Sequence, residues 1–364
     1  MTRFDIAIVG AGMAGAALAA EIGARARILI LEAEAAPGMH ATGRSAAFWS
    51  ETYGGPLIEP LTSASRPALE AGDFLKARGA IHIAQDAAGR AALDALAAGF
   101  AGAGFAGSAI ILEPLDRAAL ADRIPGLLPE WTSGLWEPGC ADINVAAFHA
   151  DCLARARRAG AIMCTGARLE RATRGGGYWR LDTPAGPFEA AILVDAAGAW
   201  ADDVAARAGA APLGIAPHRR TMVELALEPA LPPDLPLVVD ALGGFYFKPE
   251  GDGRLWLSPQ DEHVSPPCDC APEELDVATA IARFETVIAP KRMRVAHRWA
   301  GLRSFAPDRL PAIGFAEPGF FWCAGQGGFG IQTAPALSRL CATLLLGEAP
   351  ERDPAPYLAG RFAA

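Results

Sequence analysis

Residues 4–32 read FDIAIVGAGMAGAALAAEIGARARILILE, and the order of residue types in this stretch decides the fold. An apolar run from Phe4 to Val9 leads into a glycine turn, Gly10 to Gly15. An alanine-rich stretch, Ala16 to Ala24, and a second apolar run, Arg27 to Leu31, follow. Continuous apolar runs suit strands of a parallel sheet covered on both faces, with a crossover helix between them. The turn Gly10-Ala11-Gly12-Met13-Ala14-Gly15 has GxGxxG spacing between strand and helix. Gly10 permits the tight turn, Gly12 lets main chain approach a pyrophosphate, and Gly15 lets helix and strand pack closely. The helix start offers unpaired N–H groups and a positive dipole end to phosphates. Glu32 ends the second strand, where its carboxylate can accept ribose hydroxyls. Nicotinamide and flavin dinucleotides both use this unit, so it does not choose between them.

Outward from this unit, the pattern changes. From Pro56 to about Pro138 the chain reads as short helical stretches punctuated by Gly and Pro. A helix is expected over Asn144 to Ala159, with Asn144 as its N-cap. Strands are expected at Ala161 to Cys164 and Ala167 to Thr173, then a Gly175-Gly176-Gly177 turn into Tyr178 to Leu181. Ile192 to Val194 reads as another buried strand. Strand-like segments after Pro212 (Thr221 to Leu227, Phe245 to Phe247, Leu255 to Leu257) suggest an antiparallel second lobe, followed by a helix near Pro272 to Ile288. From Trp299 the chain is expected to return to the first lobe, with a strand at Phe320 to Ala324 and a helix after Gly330. The fold class read from this is mixed α/β. A Rossmann-like dinucleotide domain (1–75, 140–212, 300–364) accompanies an antiparallel-sheet substrate domain (76–139, 213–299), both discontinuous in sequence.

Three further glycine-rich segments bear on the cofactor. Residues 38–47 read GMHATGRSAA, and the small residues Ser45, Ala46 and Ala47 would let main chain lie against a flat ring. Residues 195–200 read DAAGAW after a buried strand. Residues 325–332 read GQGGFGIQ before a C-terminal helix, whose start suits the partial negative charge of a reduced flavin. With these segments in place, the chain resembles the D-amino acid oxidase-like family of FAD oxidoreductases. It looks most similar to the bacterial D-arginine dehydrogenase branch. The resemblance covers most of the chain: VGAGMAGA, HATGRSAA, the Tyr53-Gly54 pair, CADINVAAFH from Cys140 to His149, VDAAGAWAD, PHRR, FYFKP, WAGLRSF and GQGGFGIQT.

The resemblance implies an FAD site that draws on several segments. To Gly10, Gly12, Gly15 and Glu32 it adds Ala14 and Ala33. From the second segment it takes Ala41, Thr42, Gly43, Arg44, Ser45, Ala46 and Ala47. Leu169, Ala197, Gly198 and Trp200 follow, and the last segment supplies Gly327, Gly328, Phe329, Gly330, Ile331 and Gln332. The family's covalent flavoproteins carry a cysteine where this chain reads WAGLRSF, so noncovalent FAD is expected.

The resemblance assigns the anchoring of a substrate carboxylate to Arg220, Arg303 and Tyr246, with Tyr53 near the amine or over the ligand. A planar guanidinium suits a carboxylate, and a Tyr hydroxyl can add a third bond. Arg219 and Arg220 are neighbours on a strand and point to opposite faces, so only one reaches the site. Phe48, Ala80, Gly301 and Gln332 are expected in the substrate pocket. Two departures bear on specificity: Phe48 stands where the D-arginine pattern has histidine, and Ala80 where it has the glutamate that meets a guanidinium. A buried cation would then lack its partner, so neutral, apolar D-amino acids are expected. The implied reaction is hydride transfer from Cα to flavin N5, giving an imino acid that hydrolyses to a 2-oxo acid and ammonia. No protein base is nominated, and the electron acceptor is a quinone-like molecule or oxygen.

Alternatives stay open on the same residues: a 2-hydroxy acid, an N-methyl amino acid, a non-catalytic FAD protein, or a nicotinamide enzyme. Net charge is −9, which argues against a nucleic-acid partner. Apolar runs such as Ala190 to Val194 are too short to span a bilayer. The opening residues lack a secretory-signal pattern, and a cytoplasmic location is expected, with peripheral contact to the inner membrane left open. Cys268 and Cys270 lack a second pair to complete a zinc site, and His149 with Cys152 has no further ligand nearby. No metal is expected. His40 and His82 read as packing or surface histidines.

Overall fold

A computed structural model describes residues 3–102 and 110–362. The opening unit folds as its residue types require: strand Arg3–Val9, helix Met13–Ile22, strand Ile28–Leu31. The two strands pair in parallel, Ile6 beside Ile28 and Val9 beside Leu31. On its other side Arg3–Val9 pairs in parallel with Phe188–Asp195, Val9 beside Asp195. These strands belong to an eight-stranded sheet that also contains Ile162–Cys164, the hairpin Arg171–Gly175/Tyr178–Asp182, and Ala312–Glu317 with Phe320–Ala324. Helix Met13–Ile22 is buried around almost its whole circumference, because Val145–Arg158 and Gly330–Leu345 cover the sides that the sheet leaves open. The register matters for function. Val9, Leu31 and Asp195 end together, so the segments that follow each of them emerge at one edge of the sheet.

The second lobe is built on a ten-stranded sheet. Its spine is the long antiparallel pair Ala216–Glu228 and Arg292–Phe305, with a register shift between Glu224 and Leu225. Arg254–Ser258, Tyr246–Pro249, Leu237–Asp240, Ala80–Ala84, Ser133–Glu137 and Glu113–Leu115 follow in order. Every pair but one is antiparallel. Leu237–Asp240 runs parallel to Ala80–Ala84, because the chain between them passes through the first lobe. Its core is a separate cluster around Phe245, Phe247, Phe284 and Trp131. Three short strands, Phe48–Trp49, Leu75–Ala77 and Ala141–Ile143, form a small sheet between the two.

Local expectations hold at Asn144, whose side chain accepts the Ala147 N–H, and at the Gly176-Gly177 turn, where both φ values are positive. Two strand expectations fail. Ala167–Glu170 is not strand: Ala167 bonds the Glu32 carbonyl, and the ladder starts at Arg171. The chain also does not leave the second lobe at Trp299. Its ladder with Ala216–Glu228 continues to Phe305, because pairing with a long neighbour outlasts the glycine at 301. No helix among the described residues is long and apolar enough to cross a membrane.

Candidate active site

The segments emerging at the sheet edge and the spine of the second lobe enclose a cavity of about 300 Å3. One wall is main chain. Gly10 has φ +102°, and a Cβ there would lie 2.5 Å from the Ala196 carbonyl oxygen. Gly15 lies outside the wall and packs the helix onto the turn, since its Cβ would meet the Gly10 oxygen at 2.0 Å. Gly43 is also outside: it closes the 38–43 turn by donating to the Gly38 carbonyl. Gly12, Ala14, Ala33, Ala41, Thr42 and Ser45 face the cavity, as do Ala46, Ala47, Leu169, Ala197, Gly198 and Trp200. Thr42 accepts the Met13 N–H at 2.9 Å, tying the 38–47 loop to the helix start.

Glu32 is buried in this wall with both carboxylate oxygens fixed. One accepts the Ala11 N–H and the other the Glu34 N–H, each at 2.9 Å. Each oxygen keeps a lone pair for a ligand hydroxyl. His40 packs against Trp200 with ring centroids 4.6 Å apart, and its Nδ1 is buried without a hydrogen-bond partner among the described residues. His149 proves to be a bracket: its Nε2 donates to the Ala11 carbonyl at 2.8 Å, and a Cβ on Gly38 would lie 2.9 Å from its ring. A glycine cradle, a helix start, a fixed acid and an orphaned ring nitrogen fit a dinucleotide. The small residues from 45 to 47 and from 197 to 198 fit a flat ring.

The opposite wall carries charge. Arg220 stands directly across the ladder from Gly301, and Arg303 lies two residues further on the same strand. Alternation along strands therefore puts both guanidiniums on one face as a diagonal pair. Arg219 takes the other face, bonding Asp276 at 2.9 Å and Glu273. Asp261, His263 and Asp276 come together there, but Arg219 already supplies their cation. Burial and the neighbouring Arg303 pull the Arg220 pKa down. An arginine starts so high that it stays charged at neutral pH. Tyr246 is buried with its hydroxyl toward Met222 Sδ at 3.2 Å, and burial raises its pKa, keeping the phenol protonated. Tyr53 packs on Phe48, and Phe48 on Tyr246, with ring centroids 5.3 and 5.7 Å apart. Gly301 faces Arg44, whose Cβ is 3.4 Å from the position a Gly301 Cβ would take.

From the C-terminal segment, Gly327, Gly328, Phe329, Gly330, Ile331 and Gln332 reach the cavity. A Cβ on Gly328 would lie 2.2 Å from the Tyr53 hydroxyl, so this glycine lets the third loop and the charged wall meet. Gln332 is a structural tie as well. Its amide accepts from Ser50 N–H and donates to the Tyr53 carbonyl and Thr62 Oγ1.

Several residues at the site were absent from the sequence expectations. Glu262 accepts from Arg303 Nη2 at 2.7 Å and lies 3.6 Å from Arg220 Nη2. Burial tends to raise its pKa, but Arg303 and Arg309 outweigh that and hold it below the usual range. Cys268 and Cys270, read only as an incomplete zinc pair, line the cavity, because Arg44 holds their loop through the Cys270 carbonyl and Asp269. Ala80 does not reach this cavity. It lines a second, smaller one, and directly across the ladder from it stands a buried acid, Glu137. Position 80 is indeed alanine, but the neighbouring strand brings in an acid.

Comparison with known proteins agrees with this architecture. The description of the DAO family, FAD dependent oxidoreductase, matches residues 5–344. Glycine oxidase of Pseudomonas aeruginosa is 30% identical over 263 residues, covering 68% of each chain. Human mitochondrial dimethylglycine dehydrogenase is 29% identical over 251 residues, which are 62% of this chain but only 29% of that protein. Among solved structures, glycine oxidase from Geobacillus kaustophilus superposes with a TM-score of 0.87 at 25% identity over 99% of both chains.

Proposed function

Because the chain belongs to the DAO family of FAD-dependent oxidoreductases, we propose that it oxidises a neutral D-amino acid to the corresponding 2-oxo acid and ammonia. The single observation that carries this reading is the diagonal pairing of Arg220 and Arg303, from two adjacent strands, on one sheet face that lines the cavity. Amino-acid oxidation is also the activity named for the glycine oxidase relative. The D configuration rests on the likeness of HATGRSAA, FYFKP and GQGGFGIQT to the D-amino acid branch. The neutral side chain rests on Ala80 and Phe48, which argue against D-arginine itself.

When bound, FAD supplies the acceptor for a hydride. The protein's part is to bind and orient. Arg220 and Arg303 present N–H donors to the substrate carboxylate, and Arg303 Nε is a buried donor with no partner among the described residues. Charge-assisted pairs of this kind fix direction as well as position. The phenols of Tyr53 and Tyr246 line the same cavity and can donate to the carboxylate or accept from the amine. The substrate reacts as the free amine, losing a hydride from Cα and a proton from nitrogen. Water then cleaves the resulting imine to 2-oxo acid and ammonia. No side chain is assigned as base, so rate enhancement comes from positioning and fixed charge. The two electrons leave to a quinone-like acceptor or to oxygen.

A second reading, oxidation of glycine or an N-methylglycine, is favoured by the names of the two relatives. The discriminating experiment mixes purified yellow protein anaerobically with D- and L-amino acids, glycine, sarcosine and 2-hydroxy acids. Bleaching of the visible band by neutral D-amino acids, with ammonia and 2-oxo acid as products, is the expected result. Bleaching only by sarcosine or glycine would replace the first reading with the second, and higher kcat/KM for D-Arg than for D-Leu would remove the neutral preference.

A further inference from the structure

Behind Phe48, Tyr53 and Tyr246 lies a second cavity of about 120 Å3, which shares those three rings with the large one. A single water needs only about 10–15 Å3 by the same kind of measure, so this space can hold several heavy atoms. Ala80 and His82 on one strand and Leu237 and Val239 on its parallel neighbour line it, Ala80 beside Leu237 and His82 beside Val239. Ser50 and Thr52 supply hydroxyls near His82.

Glu137 sits just outside this wall and is only 1% exposed. Its carboxylate accepts from Ser50 Oγ at 2.9 Å, Thr52 Oγ1 at 2.8 Å, the Glu51 N–H at 3.1 Å and His82 Nε2 at 3.1 Å. A carboxylate in such company accepts only, so the imidazole donates through Nε2. Burial acts to raise the Glu137 pKa, but His82 and the two hydroxyls outweigh it and keep the group ionised. Three residues of the cavity wall are thus the same three whose side chains cap the acid.

We propose that the second cavity is the subsite for the substrate's side chain, and that His82 sets its specificity by covering the Glu137 carboxylate. This rests on the reading that an amino acid is anchored by Arg220 and Arg303. A substituent on the α-carbon meets aromatic walls first, which favour aliphatic and aromatic chains. At the far end, His82, Ser50 and Thr52 already satisfy the acid, so an ammonium or guanidinium finds no free counter-charge and loses its hydration uncompensated. The preference for neutral chains then comes from a masked acid. Without the imidazole, the same acid would face the cavity and attract a cation.

Ligand binding to the FAD holoenzyme tests this without turnover, through perturbation of the flavin visible band by simple carboxylates. Wild type is expected to bind hexanoate about fiftyfold more tightly than propanoate, the increment of burying three methylenes, and 6-aminohexanoate far more weakly. Val239→Phe fills the space and should erase the chain-length dependence. His82→Ala should shift the ratio of 6-aminohexanoate to hexanoate affinity at least about tenfold toward the amine, and His82→Ala/Glu137→Gln should reverse that shift. If His82→Ala loses its flavin, His82→Asn and Val239→Phe carry the test. Chain-length dependence that survives Val239→Phe, or an amine shift that persists without Glu137, overturns the proposal while leaving the anchoring intact. If no carboxylate perturbs the band, anchoring by the arginines fails, and this proposal fails with it.

Discussion

The two cavities are made of different material. The large one is walled on one side by main chain, with glycines at 10, 12, 198, 327 and 328 and a helix start at Met13. The small one is walled by side chains from segments far apart in the chain: Ser50 and Thr52, Ala80 and His82, Leu237 and Val239. A main-chain wall is set by backbone conformation and resists change, since a Cβ at Gly10 has nowhere to go. A side-chain wall can be rewritten by one substitution without disturbing the backbone. The contrast separates a wall suited to hold a cofactor from a wall that, as proposed above, selects the side chain.

The largest effect is expected on the main-chain side. Gly10→Val places a branched side chain at φ +102° and 2.5 Å from a carbonyl oxygen, so the turn cannot hold. The variant should purify folded by circular dichroism but colourless, with flavin content near zero. A yellow Gly10→Val protein would break the distinction between the two cavities.

A smaller effect is expected at Glu262, where the substrate wall meets solvent. Its carboxylate occupies Arg303 Nη2 at 2.7 Å and competes with any acid presented to the clamp. Because Glu262 is partly exposed, screening limits what it contributes. Glu262→Gln should lower KM for the substrate about threefold to tenfold with little change in kcat, the mark of binding altered equally in ground and transition states. A raised KM would mean that Glu262 chiefly orients the arginines.

Asp195, beneath the main-chain wall, acts on stability and leaves the substrate wall untouched. Its carboxyl is fully buried, accepts the Ala197 N–H, and has a second oxygen with no partner among the described residues. Burial drives its pKa well above the usual range. Folding therefore retains a proton that the unfolded chain releases, and stability falls as pH rises from the unfolded value toward the folded one. Asp195→Asn removes that dependence. Its stability relative to wild type should rise by about 1.4 kcal/mol per pH unit above roughly pH 4, read from urea melts across pH. A pH-independent difference would show that Asp195 is ionised in the folded state.

The same contrast explains how much could be read beforehand. The dinucleotide wall was legible because its parts are contiguous motifs: VGAGMAGA, HATGRSAA and GQGGFGIQ each act through their own backbone. Placing Arg220 and Arg303 together needed the family resemblance, and strand alternation then accounts for it. Glu137 and Glu262 were not legible. Each acts across a ladder or loop from residues dozens to a hundred places away, and neither sits in a patterned segment. His149 was read by its spacing to Cys152, whereas its partner is the Ala11 carbonyl, 138 residues away.

The central claim is that two guanidiniums on one sheet face hold an acid for oxidation within an FAD cavity. Anaerobic titration of wild type and Arg220→Ala with the same neutral D-amino acid tests it directly. Both proteins should be equally yellow. Wild type should bleach, and Arg220→Ala should bleach with kcat/KM lower by roughly a hundredfold or more, the loss expected for a charge-assisted pair. Equal bleaching of the two proteins, or a wild type that no amino acid reduces, would contradict the account.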